Sequence, residues 1–168
     1  IYTFDIETSS ILFLNEEIIS SDKYDDLTDS DKDKCIKIGF MYIWMLGIND
    51  NVFYGRTWEE LRIFLGKLNK RKKDIFIHNL SFEFQFLSGN FKLINVFARK
   101  ERKVIKCEME EYNITFRCTY YMTNVALSKL TDVYNLPVRK KTGDLDYTLV
   151  RNSKTPLSSK ELEYCEYD

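Results

Sequence analysis

Four carboxylates, Asp5, Glu7, Glu83 and Asp168, are the side chains of this sequence best suited to chemistry. Over residues 1–7, Tyr2, Phe4 and Ile6 alternate with Thr3, Asp5 and Glu7. A period of two predicts a half-buried strand, and it sends both acids to one face. Hard oxygen donors suit divalent cations such as magnesium. Two such ions about 3.5 to 4 Å apart can stabilise both the attacking and the leaving oxygen when a phosphodiester is cleaved. Taken singly the acids carry little weight, because an acidic strand face is usually just a solvated one. Their interest lies in coming from separate elements that could converge.

Other cation chemistries are poorly served. Cys35, Cys107, Cys118 and Cys165 show no CxxC spacing and His78 is the only histidine, which disfavours zinc and makes reduced cysteines the default. Asp29, Asp31 and Asp33 imitate the start of a calcium loop, but Lys34 stands where that loop needs glycine and Phe40 where it needs glutamate. His78 reads as a residue packed at the end of a strand.

The elements that must position the four acids follow from pattern. After a polar stretch, residues 35–48 form a long apolar strand, and Asn49, Asp50 and Asn51 turn it into a short strand over 52–54, giving an antiparallel meander. Thr57 with Glu60 is a capping box opening a helix whose Leu61, Phe64, Leu65 and Leu68 recur at helical spacing. A buried strand over 74–78 precedes a helix over 80–87 that carries Glu83, and further strands are expected near 93–98, 104–109 and 114–119. Asn124 is expected to cap a helix that runs to about 135 and is stopped by Pro137, while Ser158 with Glu161 opens a last helix. There Tyr164 and Asp168 stand four apart on one face. Three antiparallel strands followed by alternating helix and strand predict an α/β fold: a mixed sheet with flanking helices, in the ribonuclease H-like arrangement.

The chain has 168 residues, 44% of them hydrophobic and 30% charged, which fits a single globular domain. The longest apolar run, residues 38–48, falls short of the roughly 20 residues that cross a bilayer, so no membrane is expected. Net charge is −1, but acids crowd residues 22–33 and bases cluster at 67–73, 99–106 and 139–141. A basic surface can therefore coexist with an acidic site. Residues 15–34 are expected to be an acidic loop insertion. Because the chain starts inside a predicted strand and stops inside a predicted helix, the expectation is a domain cut from a longer protein.

Three segments fall in order along the chain: Phe4-Asp5-Ile6-Glu7-Thr8, His78-Asn79-Leu80-Ser81-Phe82-Glu83 and Tyr164-Cys165-Glu166-Tyr167-Asp168. Together they resemble the three exonuclease motifs of the proofreading DNA polymerases, and most closely the protein-primed branch of family B found in phages and organellar plasmids. Thr142-Gly143-Asp144-Leu145-Asp146-Tyr147 followed by Thr155-Pro156 is similar to the segment that leads into the third motif in that branch. The resemblance runs from Tyr2 to Asp168. It implies a metal-dependent 3′-to-5′ exonuclease forming the N-terminal part of a DNA polymerase, with Asp5, Glu7, Glu83 and Asp168 holding two Mg2+ or Mn2+ ions and Tyr164 orienting the attacking water. It implies that Lys141 reaches the scissile phosphate and that Asn79, Phe82, Phe86 and Tyr147 contact the strand end.

Two positions depart from the pattern. The second motif usually ends in Asp where this chain has Glu83, and one methylene moves a carboxylate by about 1.5 Å. The branch places lysine directly before Gly-Asp, where this chain has Thr142 with Lys141 one place earlier. The implied partners are the 3′ end of single-stranded DNA, primer-template DNA and a terminal protein primer. The implied setting is a monomer in the cytoplasm of a bacterial or phage-infected cell, or in an organelle. Two rivals are a stand-alone exoribonuclease with the same four acids, which commonly has His where this chain has Tyr164, and a nucleic-acid-binding module with a decayed site.

Overall fold

The apolar segment after the acidic stretch becomes the spine of the sheet. The computed structural model describes residues 1–68, 70–137, 145–146 and 148–167. In it β3 (Ile36–Ile48) lies between β1 (Tyr2–Leu14) and β4 (Asn51–Gly55), antiparallel to both. On its other side β1 runs parallel to β5 (Lys73–Ile77), and β5 parallel to β8 (Ile114–Cys118). The sheet is completed by the antiparallel hairpin of β6 (Leu93–Ala98) and β7 (Val104–Met109), with β7 against β8. Eight strands result, in the order β4-β3-β1-β5-β8-β7-β6, with β2 (Glu17–Ser20) paired to β1 off that path. Its mixed direction is the one the meander and the later helix-strand alternation predict.

Register decides which face each side chain serves. Phe4 stands opposite Leu46 and Ile6 opposite Trp44, and these join Ile75 and Ile77 in the main core under α2 (Trp58–Lys67) and α3 (Ser81–Asn90). Asp5 stands opposite Met45 and Glu7 opposite Ile43, so both acids belong to the opposite face. There Ile43 and Met45 pack with Tyr42, Leu145 and the Tyr164 and Cys165 side chains of α6 (Ser159–Glu166). Alternation along one strand thus separates the apolar anchor from the acids while holding both on the same backbone.

Three local outcomes differ from the sequence pattern. β1 continues past Glu7 to Leu14, with a shift of register between Glu7 and Thr8, so the acids end at an irregularity that bends the strand. The stretch expected as an acidic loop contains β2, a 3-10 turn (Ser21–Tyr24) and α1 (Asp29–Lys34), whose cap is the Thr28 hydroxyl accepting from the Asp31 amide at 3.2 Å. Asn124 does not open a helix. It closes α4 (Tyr120–Thr123) in the left-handed region at φ 54°, which Asn tolerates better than most residues, and α5 (Leu127–Tyr134) starts behind Ala126 with no side-chain cap. The two capping boxes do form: Thr57 with Glu60 on α2, and Ser158 with Glu161 on α6. Among the described residues no helix is long and apolar enough to cross a membrane.

Candidate active site

Glu83 reaches the acidic face of β1 from α3. It stands in the first turn of that helix, is only 3% exposed, and meets Asp5 through a side-chain hydrogen bond. Burial, reinforced by the neighbouring Asp5 charge, pushes the Glu83 carboxyl up to about 10. Its Oε2 is buried and has no hydrogen-bond partner among the described residues. Glu7 is also buried, two residues along the strand from Asp5. A buried carboxylate pressed against a half-buried one needs either a shared proton or a cation. The unpartnered oxygen and the oxygen donors of the pair fit a hard divalent ion, and Asp5 and Glu83 are the described residues that would help to hold it. Among the described residues no three His, Cys, Asp or Glu side chains are grouped so as to hold a metal ion, so Glu7 does not join the Asp5–Glu83 pair as a third ligand in this arrangement. Asp168, the fourth acid of the expected set, lies outside the described residues, as do Lys141 and Tyr147.

The turn between β5 and α3 presents the rest of the second motif. Asn79 is exposed and adopts φ 64°, while Leu80 is the cap of α3 and makes no side-chain capping bond. The backbone therefore wants Asn79 for its left-handed turn rather than for a helix cap, and its exposed amide carries no capping duty. Phe82 is 39% exposed, and its ring stands 5.4 Å from that of Phe86. Phe86 lies against Gly39, where an added Cβ would be in ordinary contact with the ring at 3.6 Å. The pair offers an apolar ledge one helical turn long beside the acids.

A cleft of about 200 Å³ opens next to Asp5 and is lined by Thr3, Gly47, His78, Thr119, Leu127 and Cys165. His78, which the sequence suggests is only a packing residue, therefore borders the site. Its Nδ1 lies 3.0 Å from the Thr119 hydroxyl and its ring meets Tyr120 edge-on. Position directly after a buried strand is the one signal that could have promoted it.

The third motif is held by residues that sequence pattern alone leaves silent. Tyr164 is buried on the acidic face, on α6. Arg151, 4% exposed, leads into that helix: its Nε and Nη2 reach Glu161 Oε1 at 2.8 and 2.7 Å, and its Nη1 donates to the Asp146 carbonyl at 2.6 Å. The Arg151 amide donates to the Ser9 hydroxyl at 2.9 Å, tying the segment to β1. Arg56 works from the other side, donating to the carbonyls of Tyr42, Asn152 and Thr155 at 2.6, 2.9 and 2.8 Å. The Arg56 guanidinium thus fastens the approach to α6 onto β3, the Arg151 amide ties it to β1, and the Arg151 guanidinium braces it internally. The signal for Glu161 was its capping box; for Arg151 and Arg56 there was none.

Residues 65–168 match the family of organellar and viral type B DNA polymerases. The chain belongs to that family. No curated protein matches it. Among solved structures, this type B polymerase chain is similar to phi29 DNA polymerase complexed with single-stranded DNA, with a TM-score of 0.66 at 15% identity, covering 99% of this chain and 28% of that one. The same polymerase with primer-template DNA and incoming nucleotides, and with primer-template DNA alone, gives TM-scores of 0.65 and 0.64, each at 14% identity and with the same coverage. At such identity the likeness is one of fold: the ribonuclease H-like α/β sheet with flanking helices, as expected from the order of elements. This family member spans 28% of the length of the phi29 chain.

Proposed function

We propose that this chain is the 3′-to-5′ exonuclease of a DNA-directed DNA polymerase, hydrolysing the terminal phosphodiester of single-stranded DNA as a proofreading step. The observation that carries the reading is the meeting of buried Glu83 with half-buried Asp5, one Glu83 oxygen being left without a partner. Stability alone does not select such a pair, since apolar residues of similar volume are often as good or better. Membership of the polymerase family, and a fold shared with a polymerase whose structure contains single-stranded DNA, support the substrate class.

In this reading Asp5, Glu7, Glu83 and Asp168 hold two Mg2+ or Mn2+ ions, which would supply charge neutralisation at the attacking and leaving oxygens. The protein's own share is positioning. β1 fixes Asp5 and Glu7 beside its register shift, and the first turn of α3 aims Glu83 at Asp5. Phe82 and Phe86 stack on the terminal bases, with Tyr147 as a further contact, and each stacked base contributes about 1 to 3 kcal/mol. Asn79 hydrogen-bonds the terminal nucleotide, Tyr164 orients the attacking water, and Lys141 neutralises the scissile phosphate.

The test is release of label from the 3′ end of a single-stranded oligonucleotide. Mononucleotides should appear with magnesium or manganese and stop in excess chelator. Undiminished hydrolysis in chelator, or products cut only internally, would sink the proposal.

A further inference from the structure

The turn joining β6 to β7 carries Arg99, Lys100, Arg102 and Lys103, all exposed, with Glu101 as the one acid among them. Strand register locates this turn. Tyr2 pairs with Ile75 and Thr3 with Phe76, which brings Asp5 level with His78 at the exit of β5. β8 follows β5 in parallel, Ile77 opposite Cys118, and β7 runs back antiparallel with Lys106 opposite Arg117. Val104 is thus level with Thr119, and residues 99–103 project beyond the sheet end that bears Asp5 and Glu83. The root of the hairpin is bolted to the same helix as Glu83, because the Ser81 hydroxyl accepts the Val104 amide at 2.9 Å in a buried bond.

The turn is closed and pre-shaped. The Arg99 amide donates to the Lys103 carbonyl and the Lys103 amide to the Lys100 carbonyl, each at 3.0 Å. Arg102 adopts φ 56°, a region that glycine or asparagine occupies at lower cost, so this turn keeps a cation where its geometry prefers another residue. Phe97, 62% exposed, lies beside the turn on the edge strand of the sheet. A site lined with carboxylates in a chain of net charge −1 repels the phosphates it must admit, and cations placed at the rim offset that repulsion.

We propose that residues 99–103, with Phe97 alongside, bind the phosphate backbone of single-stranded DNA several nucleotides before the 3′ end and guide it to the carboxylates. The inference rests on the exonuclease reading for what lies at the end of the strand. Its observable is length: a strand of three nucleotides ends before it reaches the turn, and one of twelve does not.

The experiment measures binding of oligo(dT) of three and twelve nucleotides in calcium, across a salt series, and cleavage of both in magnesium. The variant Arg99→Gln/Lys100→Gln/Arg102→Gln/Lys103→Gln should bind the twelve-mer about tenfold more weakly at low salt, with a salt slope smaller by about 0.7 for each phosphate that it no longer neutralises. Its handling of the three-mer should match wild type. Arg102→Gly relieves the left-handed strain while removing one cation, so it should melt no lower than wild type and still bind the twelve-mer more weakly. Equal affinity of variant and wild type for the twelve-mer, or equal weakening on both lengths, overturns the proposal. A wild type that cleaves neither length yet binds the twelve-mer through these cations removes the exonuclease reading and leaves the guiding surface standing.

Discussion

Glu83 is where the sequence departs from its family's pattern and where the fold is most polarised. A carboxyl at 3% exposure, facing Asp5, is held far from its ordinary protonation range by burial first and by the Asp5 charge second. Glutamine has the same shape and mimics the neutral acid. Glu83→Gln should therefore cost little stability in chelator, while lowering cleavage by orders of magnitude and sparing strand binding in calcium. Asp5→Asn should lower cleavage in the same way. Cleavage that survives Glu83→Gln but not Asp5→Asn would remove Glu83 from the metal site. The converse change tests reach: Glu83→Asp shortens the side chain by about 1.5 Å, and a misplacement of roughly 1 Å can cost about 100-fold in rate. If Glu83→Asp instead speeds cleavage, the glutamate is a scar rather than a ligand matched to its own helix.

α6 depends on contacts that no local pattern announces. Glu161 is kept below the usual carboxylate range by the Ser158 amide first, with the Ser158 hydroxyl and Arg151 adding to it. A carboxyl depressed in the folded state contributes stability above its unfolded pKa and loses it as pH falls through the folded one. Melting temperature should thus decline on acidification below about pH 4.5, and Glu161→Gln should flatten that decline; an identical profile in both proteins would deny Glu161 its role. Arg151→Met removes the buried guanidinium that donates to Glu161 Oε1 and to the Asp146 carbonyl, both only partly buried, and a destabilisation of about 1.5 to 3 kcal/mol by urea unfolding is expected. A change below about 1 kcal/mol would make this ion pair ornamental. The capping boxes of α2 and α6 were legible because cap and acid stand three apart in sequence. Arg151, Ser9 and Asp146 meet only after the chain has folded, so nothing in their spacing marks them. Alternation in residues 1–7 revealed the acidic face, yet not the run of β1 to Leu14, because Thr8, Ser9 and Ser10 break the alternation, Ile11 to Leu14 are apolar without it, and β2 and β3 supply the pairing instead. Asn124 misled for a related reason: the residue that opens a helix with its side chain also closes one with its backbone.

At the scale of the whole chain, the sheet sorts charge by its ends and faces. Acids converge where β5 finishes beside the first half of β1, the basic turn between β6 and β7 stands at the same end, and two arginines lock the last helix over the acidic face. A fold that gathers carboxylates in this way should be completed by cations, and the completion should register in stability even where no strand is cut. A ligand that binds only the native state stabilises it by about 2.7 kcal/mol when present at 100 times its dissociation constant. For a chain of this size each kcal/mol moves the melting temperature by about 2 to 4 °C, so saturating magnesium or manganese should raise it by roughly 5 to 10 °C over chelator. Calcium should raise it too, since it takes the same oxygen donors without supporting cleavage. Asp5→Asn and Glu83→Gln should each erase most of that gain, whereas neutralising Arg99, Lys100, Arg102 and Lys103 should leave it intact, because those exposed side chains belong to the turn between β6 and β7 and not to the carboxylate pair. Wild-type protein that melts at the same temperature in chelator and in saturating magnesium, or a Glu83→Gln variant that gains as much as wild type, would mean that the acids meet for some purpose other than holding cations.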